Sequence, residues 1–332
     1  MKRFLLLGLV LTGLISLLAF IFSLYKSLGL YNLTPKPDNT LVYHFSLYIP
    51  DTRNSFFEGI IRGAELAALE LDLAISVHSI DPDKNELEMA AFMGVDGVIV
   101  CPYLDDSLAR RQLEKIRDRQ LPAVLINHNL PSEQPWPFIG TNNYDLGRRI
   151  GQILFNFPNE IRLAVVYSDK APGIYTEREL VEMGISAYLE DRLSGPIMSY
   201  RTSLNPLDAE SLLWEIFQSP GISFGSGGTE EREFVNTIVF TDPDDTVAVA
   251  QTLVDLNLVG QIQIIGFGAD PGVMENLRKG IISATVSINP ERIGYEAVNS
   301  LAALRSTGYT SASIDTGIEI ITINDLQEEP ER

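Results

Sequence analysis

Four short polar clusters hold most of the side chains in this sequence that could grip a ligand by hydrogen bonding. They are Asp51-Thr-Arg-Asn54, Asn127-His-Asn129, Asn142-Asn143 and Asp242-Pro-Asp244-Asp245. Each follows a run rich in β-branched or aromatic residues, the composition of a strand. Carboxamides, carboxylates and an imidazole supply the donors and acceptors that pair with hydroxyl groups. If the strands run parallel, their carboxyl ends converge and the clusters share one crevice. Singly, each cluster also reads as a turn or a helix cap; their common placement is the signal. Covalent and metal chemistry have weaker claims. Gly221-Ile-Ser-Phe-Gly225 spells G-x-S-x-G, but Pro220 precedes it and a glycine-rich, acidic stretch follows, the wrong setting for a nucleophile elbow. Asp81-Pro-Asp83-Lys-Asn85 lacks the glycine and glutamate of a calcium loop. His44, His78 and His128 have no metal-ligand spacing. The expectation is a binding protein with no catalytic residues, no metal and no cofactor.

The elements that must position these clusters follow from periodicity. A strand over Leu41–Ile49 leads through the Asp51–Asn54 turn into a helix over Ser55–Leu71, where Phe57, Ile60, Ile61, Ala64, Ala67, Ala68 and Leu71 share one face. Asn54 can cap that helix. Phe56 and Phe57 cannot both point inward from a first turn, so at least one is expected to line the crevice. Further strands are expected at Leu73–Ser79, Gly97–Cys101, Ala123–Asn127, Arg162–Ser168, Thr237–Thr241, Gln263–Phe267, Ser283–Ile288 and Gly317–Ile323. Helical patterns lie between them, at Lys84–Met93, Ser107–Arg119, Tyr144–Asn156, Thr176–Leu193, Leu207–Gln218, Thr246–Leu258, Gly272–Lys279 and Pro290–Arg305. Such alternation predicts an α/β fold of doubly wound parallel sheets with helices on both faces. So many strands close more easily as two lobes than as one sheet. The crossings between lobes are expected at Gly140–Asn143, at Ile288–Pro290 and near Thr316.

Charge and hydropathy bear on location and partners. The chain has 332 residues and a formal net charge of −19, and a strongly acidic surface repels nucleic acid. Phe4–Tyr25 is uncharged and close to the ~20 residues needed to cross a bilayer as a helix, with Lys2 and Arg3 on its amino-terminal flank. It is longer than a usual signal-peptide core and has no small-residue cleavage pattern. A transmembrane signal anchor over residues 1–26 is therefore expected, followed by a proline-containing tether over 27–40 and a domain outside the cytoplasm. The single cysteine, Cys101, cannot form an intramolecular disulfide and reads as a small buried hydrophobe.

From Leu41 to Ile323 the pattern resembles the type I periplasmic binding protein family, the ribose- and galactose-binding group. The resemblance rests on the strand before Asn54-Ser-Phe-Phe57, on Gly94-Val-Asp-Gly-Val-Ile-Val100, on Gly140-Thr-Asn-Asn143, on Ile264-Ile-Gly-Phe267, and on Ile281–Pro290 leading into Ile293-Gly-Tyr-Glu-Ala297. It implies an amino-terminal lobe of residues 41–141 plus 290–315 and a carboxyl-terminal lobe of 142–289 plus 316–325, ahead of an acidic tail at 326–332. The lobes would close over a small polar ligand, a sugar or sugar-like compound. The ligand residues implied, together with the polar clusters, are Asp51, Asn54, Phe56, Phe57, Asn127, His128, Asn142, Arg178, Asp242, Asp244, Asp270 and Asn289. Asn127 and His128 stand where the family has an Asp-Arg pair, so that charged clamp is missing. The implied membrane partner is an ABC permease, or alternatively a sensor kinase or chemoreceptor. Lactose-repressor relatives share the core but carry a DNA-binding domain where this chain has an apolar span.

Overall fold

The structure is a computed structural model that describes residues 13, 16–24, 43–50, 55–81, 85–102, 106–203, 205, 207–218 and 235–327. The chain divides into a unit of Met1–Val42 and a unit of Tyr43–Arg332. In the first, residues 16–24 (α1) are helical, with Leu17, Phe20, Ile21 and Phe22 exposed. Among the described residues no helix is long and apolar enough to cross a membrane. The rest of the expected anchor, the tether, the acidic tail beyond Gln327 and the Gly221–Gly225 motif lie outside the described residues.

The second unit holds two six-stranded sheets flanked by helices, two α/β lobes. Sheet one orders β11(Ser313–Asp315), β5(Phe138–Gly140), β4(Ala123–Ile126), β3(Gly97–Val100), β1(His44–Ile49) and β2(Ala74–Ser79), all paired in parallel. Sheet two orders β12(Ile318–Thr322), β10(Ala284–Ile288), β9(Gln263–Phe267), β8(Thr237–Phe240), β6(Leu163–Ser168) and β7(Met198–Thr202). The period-two alternation of a strand feeds a separate core on each face of each sheet. In sheet one, Phe45, Leu47, Ile49, Ile99, Val124 and Ile126 pack under α2(Ser55–Glu70) and α11(Pro290–Thr307), while Val98, Val100 and Leu125 face α4(Asp106–Asp118). In sheet two, Val165, Tyr167, Val239 and Ile265 pack under α5(Asn143–Phe155) and α7(Arg178–Leu189). Ala164, Val166, Ile238 and Ile264 face α8(Asp208–Gln218), α9(Pro243–Asp255) and α10(Pro271–Arg278).

Three strands, β5, β7 and β11, exceed the expected nine, because each is short or carries polar residues at alternate positions. The expected helix at Lys84–Met93 is one α-turn, α3(Glu86–Met89), followed by a 3-10 turn. The helix expected at Thr176–Leu193 is broken at Glu177 into α6(Pro172–Thr176) and α7. Sheet two is parallel except at its edge, where β12 runs antiparallel to β10. The reason is topological. The chain leaves the carboxyl end of β11 at Asp315 and enters β12 at Ile318, beside the carboxyl end of β10 at Ile288, so it can only run back. The carboxyl ends of the two sheets are thereby held face to face.

Each lobe is stiffened by a helix pair in backbone contact. A Cβ at Gly63 in α2 would overlap the Glu291 carbonyl oxygen of α11, and one at Gly294 would overlap the Ile60 carbonyl oxygen. Between α5 and α7, Gly147 meets the Val181 carbonyl and Gly184 the Tyr144 carbonyl in the same way. A methyl group at either seam must push helices apart in a close-packed interior. Gly294→Ala and Gly147→Ala are each expected to destabilise the protein by about 1–3 kcal/mol in urea unfolding; a loss well under that range would show that the seams can part freely.

Candidate functional site

On the sheet-one side the site starts with Asn127, immediately after β4. Its φ of 61° is left-handed, a conformation asparagine tolerates better than most residues. Its N–H donates to the Ile139 carbonyl at 3.0 Å, and its side chain hydrogen-bonds the Cys101 thiol. Burial pushes that thiol up to about 12, so Cys101 is an unreactive packing residue. His128 follows, 3 % exposed, with Nε2 at 3.1 Å from Asp106 Oδ1 at the start of α4. Gly173 of α6, from the sheet-two lobe, packs directly on this turn: a Cβ there would overlap the Asn127 carbonyl oxygen and approach the His128 Cα.

On the sheet-two side the polar groups form a charge cluster. Lys170, just past β6, has a side chain 9 % exposed, and its Nζ lies 2.9 Å from Asp245 Oδ1, 3.3 Å from Asp242 Oδ1 and 3.9 Å from Asp244 Oδ2. Thr202 Oγ1 donates to Asp245 Oδ2 at 2.5 Å. Asp242 also caps α9, its Oδ1 accepting from the Asp245 N–H at 3.1 Å. The helix therefore begins at Pro243, three residues ahead of the expected Thr246, and Asp244 and Asp245 lie in its first turn. Burial raises Asp242 to about 6, reinforced by Asp245 and opposed by Lys170. Lys170 itself is raised: desolvation pulls it down, but Asp242 and Asp245 outweigh that. Asp270 belongs to the same neighbourhood, since a Cβ at Gly268 would strike both Pro243 and the Asp270 carboxylate.

Between the two sides runs the first crossing. Asn142 is exposed, and its Oδ1 accepts from the Tyr144 and Asp145 N–H groups at 3.1 Å, capping α5. Asn143 is the buried member of the pair at 5 % exposure; its Nδ2 donates to the Gly173 carbonyl at 3.3 Å and to Glu177 Oε2 at 2.8 Å. Asn289 caps α11 by accepting from the Arg292 N–H at 2.9 Å. It lines a cavity of about 420 Å³ with Arg62, Glu291, Thr316 and Glu319. Arg178 lies over the Tyr175 ring, 5.1 Å from its centroid, and donates to the Tyr175 carbonyl.

The two phenylalanines divide their work. Phe57 is 2 % exposed and belongs to the sheet-one core, whereas Phe56 is half-buried and packs against core residues of both lobes. The rings meet edge to face at 5.3 Å. Phe56 is thus the aromatic at the junction, and Phe57 is a packing residue. Of the other expected site residues, Asn127 and His128 come together with Gly173, and Asp242 and Asp244 with Lys170, only three positions before Gly173. Asp244 is solvent-facing, with 69 % of its side chain exposed. Asn142 and Asn289 spend their carboxamide oxygens on helix caps. Asp51 and Asn54 lie outside the described residues. Sequence reasoning missed Lys170, Thr202 and Glu177; examining the carboxyl end of the expected strand Arg162–Ser168, as was done for the others, would have found Lys170.

The family model for the periplasmic binding protein domain matches residues 45–308, most of the second unit. The chain belongs to that family. Solved structures agree on the fold. GanP, a glucose-galactose binding protein from Geobacillus stearothermophilus, superposes with a TM-score of 0.74 at 23 % identity, covering 86 % of this chain and 98 % of its own. A periplasmic ribose ABC transporter protein from Conexibacter woesei gives 0.70 at 20 % identity, covering 87 % and 94 %. A putative LacI transcriptional regulator from Bacteroides fragilis gives 0.69 at 14 % identity, covering 87 % and 99 %. No curated protein sequence matches significantly.

Within this periplasmic binding protein the raised Asp242 has a thermodynamic consequence. Its native carboxyl holds a proton up to about pH 6, whereas an unfolded chain releases it near pH 4. The native state therefore binds more protons in that window, and Asp242 contributes a stability that falls as pH rises through it. Asp242→Asn keeps a capping side chain and removes the titration. Unfolding free energies measured from pH 4 to 6.5 are expected to decline more steeply for the wild type than for the variant, by up to about 1.4 kcal/mol per pH unit; parallel profiles would refute it.

Proposed function

We propose that the chain is an extracytoplasmic solute-binding protein whose lobes, 41–141 plus 290–315 and 142–289 plus 316–325, close over a small polar ligand of the sugar class. The observation that carries this reading is the meeting of Gly173 with the Asn127 turn, which sets the carboxyl ends of both sheets against each other. Ligands of open α/β sheets bind at such ends. Phe56 supplies an apolar face for ring C–H groups, and Asn127, His128, Asn143 and Asp244 supply polar partners. Contacts drawn from both lobes exist only when the crevice is shut, so the ligand favours closure by differential affinity. A shift from mostly open to mostly closed takes roughly 5 kcal/mol of such preference. GanP and the Conexibacter woesei protein, described as glucose-galactose binding and as part of a ribose transporter, support a sugar as the ligand.

The readout we propose is delivery to an ABC permease, with Phe4–Tyr25 as a membrane anchor that keeps the binding domain outside the cytoplasm. The uncharged anchor run favours one alternative, a stationary receptor that presents its closed form to a sensor kinase or chemoreceptor. Crosslinking in membranes followed by identification of the partner separates the two readouts. For the binding itself, the fragment 41–332 is expected to gain thermal stability with at least one sugar from a panel of pentoses, hexoses and nucleosides. Phe56→Ala is expected to weaken that ligand about tenfold or more, the loss of one buried aromatic contact. Phe57→Ala, by contrast, opens the core and is expected to lower unfolding free energy by about 3–5 kcal/mol. A flat panel, or a Phe56→Ala protein that binds like the wild type, would defeat the sugar assignment.

A further inference from the structure

Resting on the reading of Phe4–Tyr25 as a membrane anchor, we propose that a groove flanked by Arg117, Arg119 and Arg305 takes the phosphate headgroups of anionic phospholipids and seats the sheet-one lobe on the bilayer. The groove lies at the end of sheet one opposite the crevice, where β1, β3 and β4 begin at His44, Gly97 and Ala123. Helices α4 and α11 both end at this pole. Two adjoining cavities of about 430 and 310 Å³ open there and share Gln120, Leu121 and Pro122. Of the charged residues lining them, three are arginines, and Asp96 is the one carboxylate. That balance is the reverse of the whole chain, whose formal net charge is −19. The groove is therefore complementary to an anion.

Each guanidinium rests on an aromatic ring. Arg117 lies 3.9 Å from the Trp136 ring centroid, Arg119 4.2 Å from that of Phe92, and Arg305 5.5 Å from that of Tyr43. Stacking fixes the plane of the group and leaves its N–H edge for phosphate oxygens. Arg305 is 3.4 Å from Asp96, and Arg117 donates to the Gln134 carbonyl at 2.6 Å. Arg119 is exposed and, among the described residues, pairs with no carboxylate, so it has the most donors left. Basic residues in a last helical turn also offset the helix dipole. That role accounts for Arg117 and Arg305 singly, and it does not require two helices to aim theirs at one groove. The occupant follows from where the chain enters. Tyr43, under Arg305, opens the second unit, so residues 26–42 join the anchor to this pole. Even fully extended, that stretch spans no more than about 60 Å, which keeps phospholipid at high local concentration. Phe92, Leu69 and Tyr309, at the same pole, are 60 %, 77 % and 76 % exposed, and such side chains settle at headgroup depth. Asp72 and Asp118 are exposed at this pole outside the groove, so the attraction is local to the groove. Seated this way, the crevice and the sheet-two lobe stand clear of the bilayer.

The test uses the full chain carrying Trp214→Phe, which leaves Trp136 as the one tryptophan. Trp136 lines the groove at 6 % exposure and serves as the reporter. The protein is reconstituted in nanodiscs of phosphatidylcholine, with or without phosphatidylglycerol, each containing a lipid with a nitroxide on its headgroup. Quenching of Trp136 is expected to be at least about twofold stronger with phosphatidylglycerol, and to weaken at high salt, which screens exposed charge. Arg119→Gln is expected to remove most of that difference and Arg119→Lys to restore part of it, with urea unfolding unchanged in both. Equal quenching in the two discs would overturn the inference, and a Trp136 response to free glycerol phosphate would then assign the groove to a soluble anion. An Arg119→Gln protein quenched like its parent would overturn it as well. Quenching that appears only when native membrane proteins are added would give the pole to a protein partner and overturn the lipid assignment. Absence of quenching in a chain that still enters the discs would overturn this inference and leave the anchor standing. A chain that never enters the discs would overturn both.

Discussion

The contact between the Gly173 backbone and the Asn127 carbonyl governs how the two lobes can meet. It requires two things at once: a residue able to turn left-handed after β4, and a residue without a side chain at the start of α6. Because a Cβ at Gly173 would overlap the Asn127 carbonyl oxygen, a larger residue there must push this contact apart. Everything else at the site is placed by reference to this contact. His128 follows Asn127, Lys170 precedes Gly173, and Asn143 bonds the Gly173 carbonyl. A binding crevice made this way has walls of backbone, which do not adjust their position side chain by side chain.

Each lobe is internally stiff. Helix pairs that touch backbone to backbone at Gly63, Gly294, Gly147 and Gly184, α2 with α11 and α5 with α7, leave little room for shear at those points. Compliance is left to the three places where the chain passes between sheets, after Gly140, after Ile288 and after Asp315. Two of these are laced together: the Thr316 N–H donates to the Gly140 carbonyl at 3.0 Å, and Arg292 reaches the Thr316 carbonyl at 3.3 Å. The first two leave β5 and β10, each next to the edge of its sheet, and the third joins the edge strands β11 and β12. Gly317, at φ 85°, takes the one backbone conformation in the third crossing that favours glycine. That arrangement is what hinge closure needs, stiff lobes on a few compliant residues.

How far this was legible in the sequence depended on which signal was being read. The strands with continuous apolar runs, such as Gly97–Val100 and Gln263–Phe267, were located to within a residue, because burial on both faces leaves no polar position to confuse the pattern. Met198–Thr202 was missed since an edge strand alternates with Ser199 and Arg201 and looks like a loop. The polar clusters were found as a class, but their division of labour was not. Asn142 and Asn143 are chemically identical, and only the helix geometry decides that one caps while the other is buried. Phe56 and Phe57 posed the same problem, solved by which core each ring reaches. Lys170 has its place just past an expected strand as its local signal, but its pairing with Asp242 and Asp245, more than seventy residues away, was not legible.

That distant pairing shapes the chemistry left over for a ligand. A buried lysine flanked by two buried carboxylates is costly to assemble, since desolvation of the charges competes with their attraction. Here the cluster adds no net positive charge: two aspartates within 3.3 Å of one ammonium leave the group neutral or negative, and desolvation relieves it by raising Asp242. The Lys170 ammonium is thus spent on internal pairing. On the sheet-one wall the family's charged clamp is replaced by Asn127 and His128, and His128 is held by Asp106 at 3.1 Å.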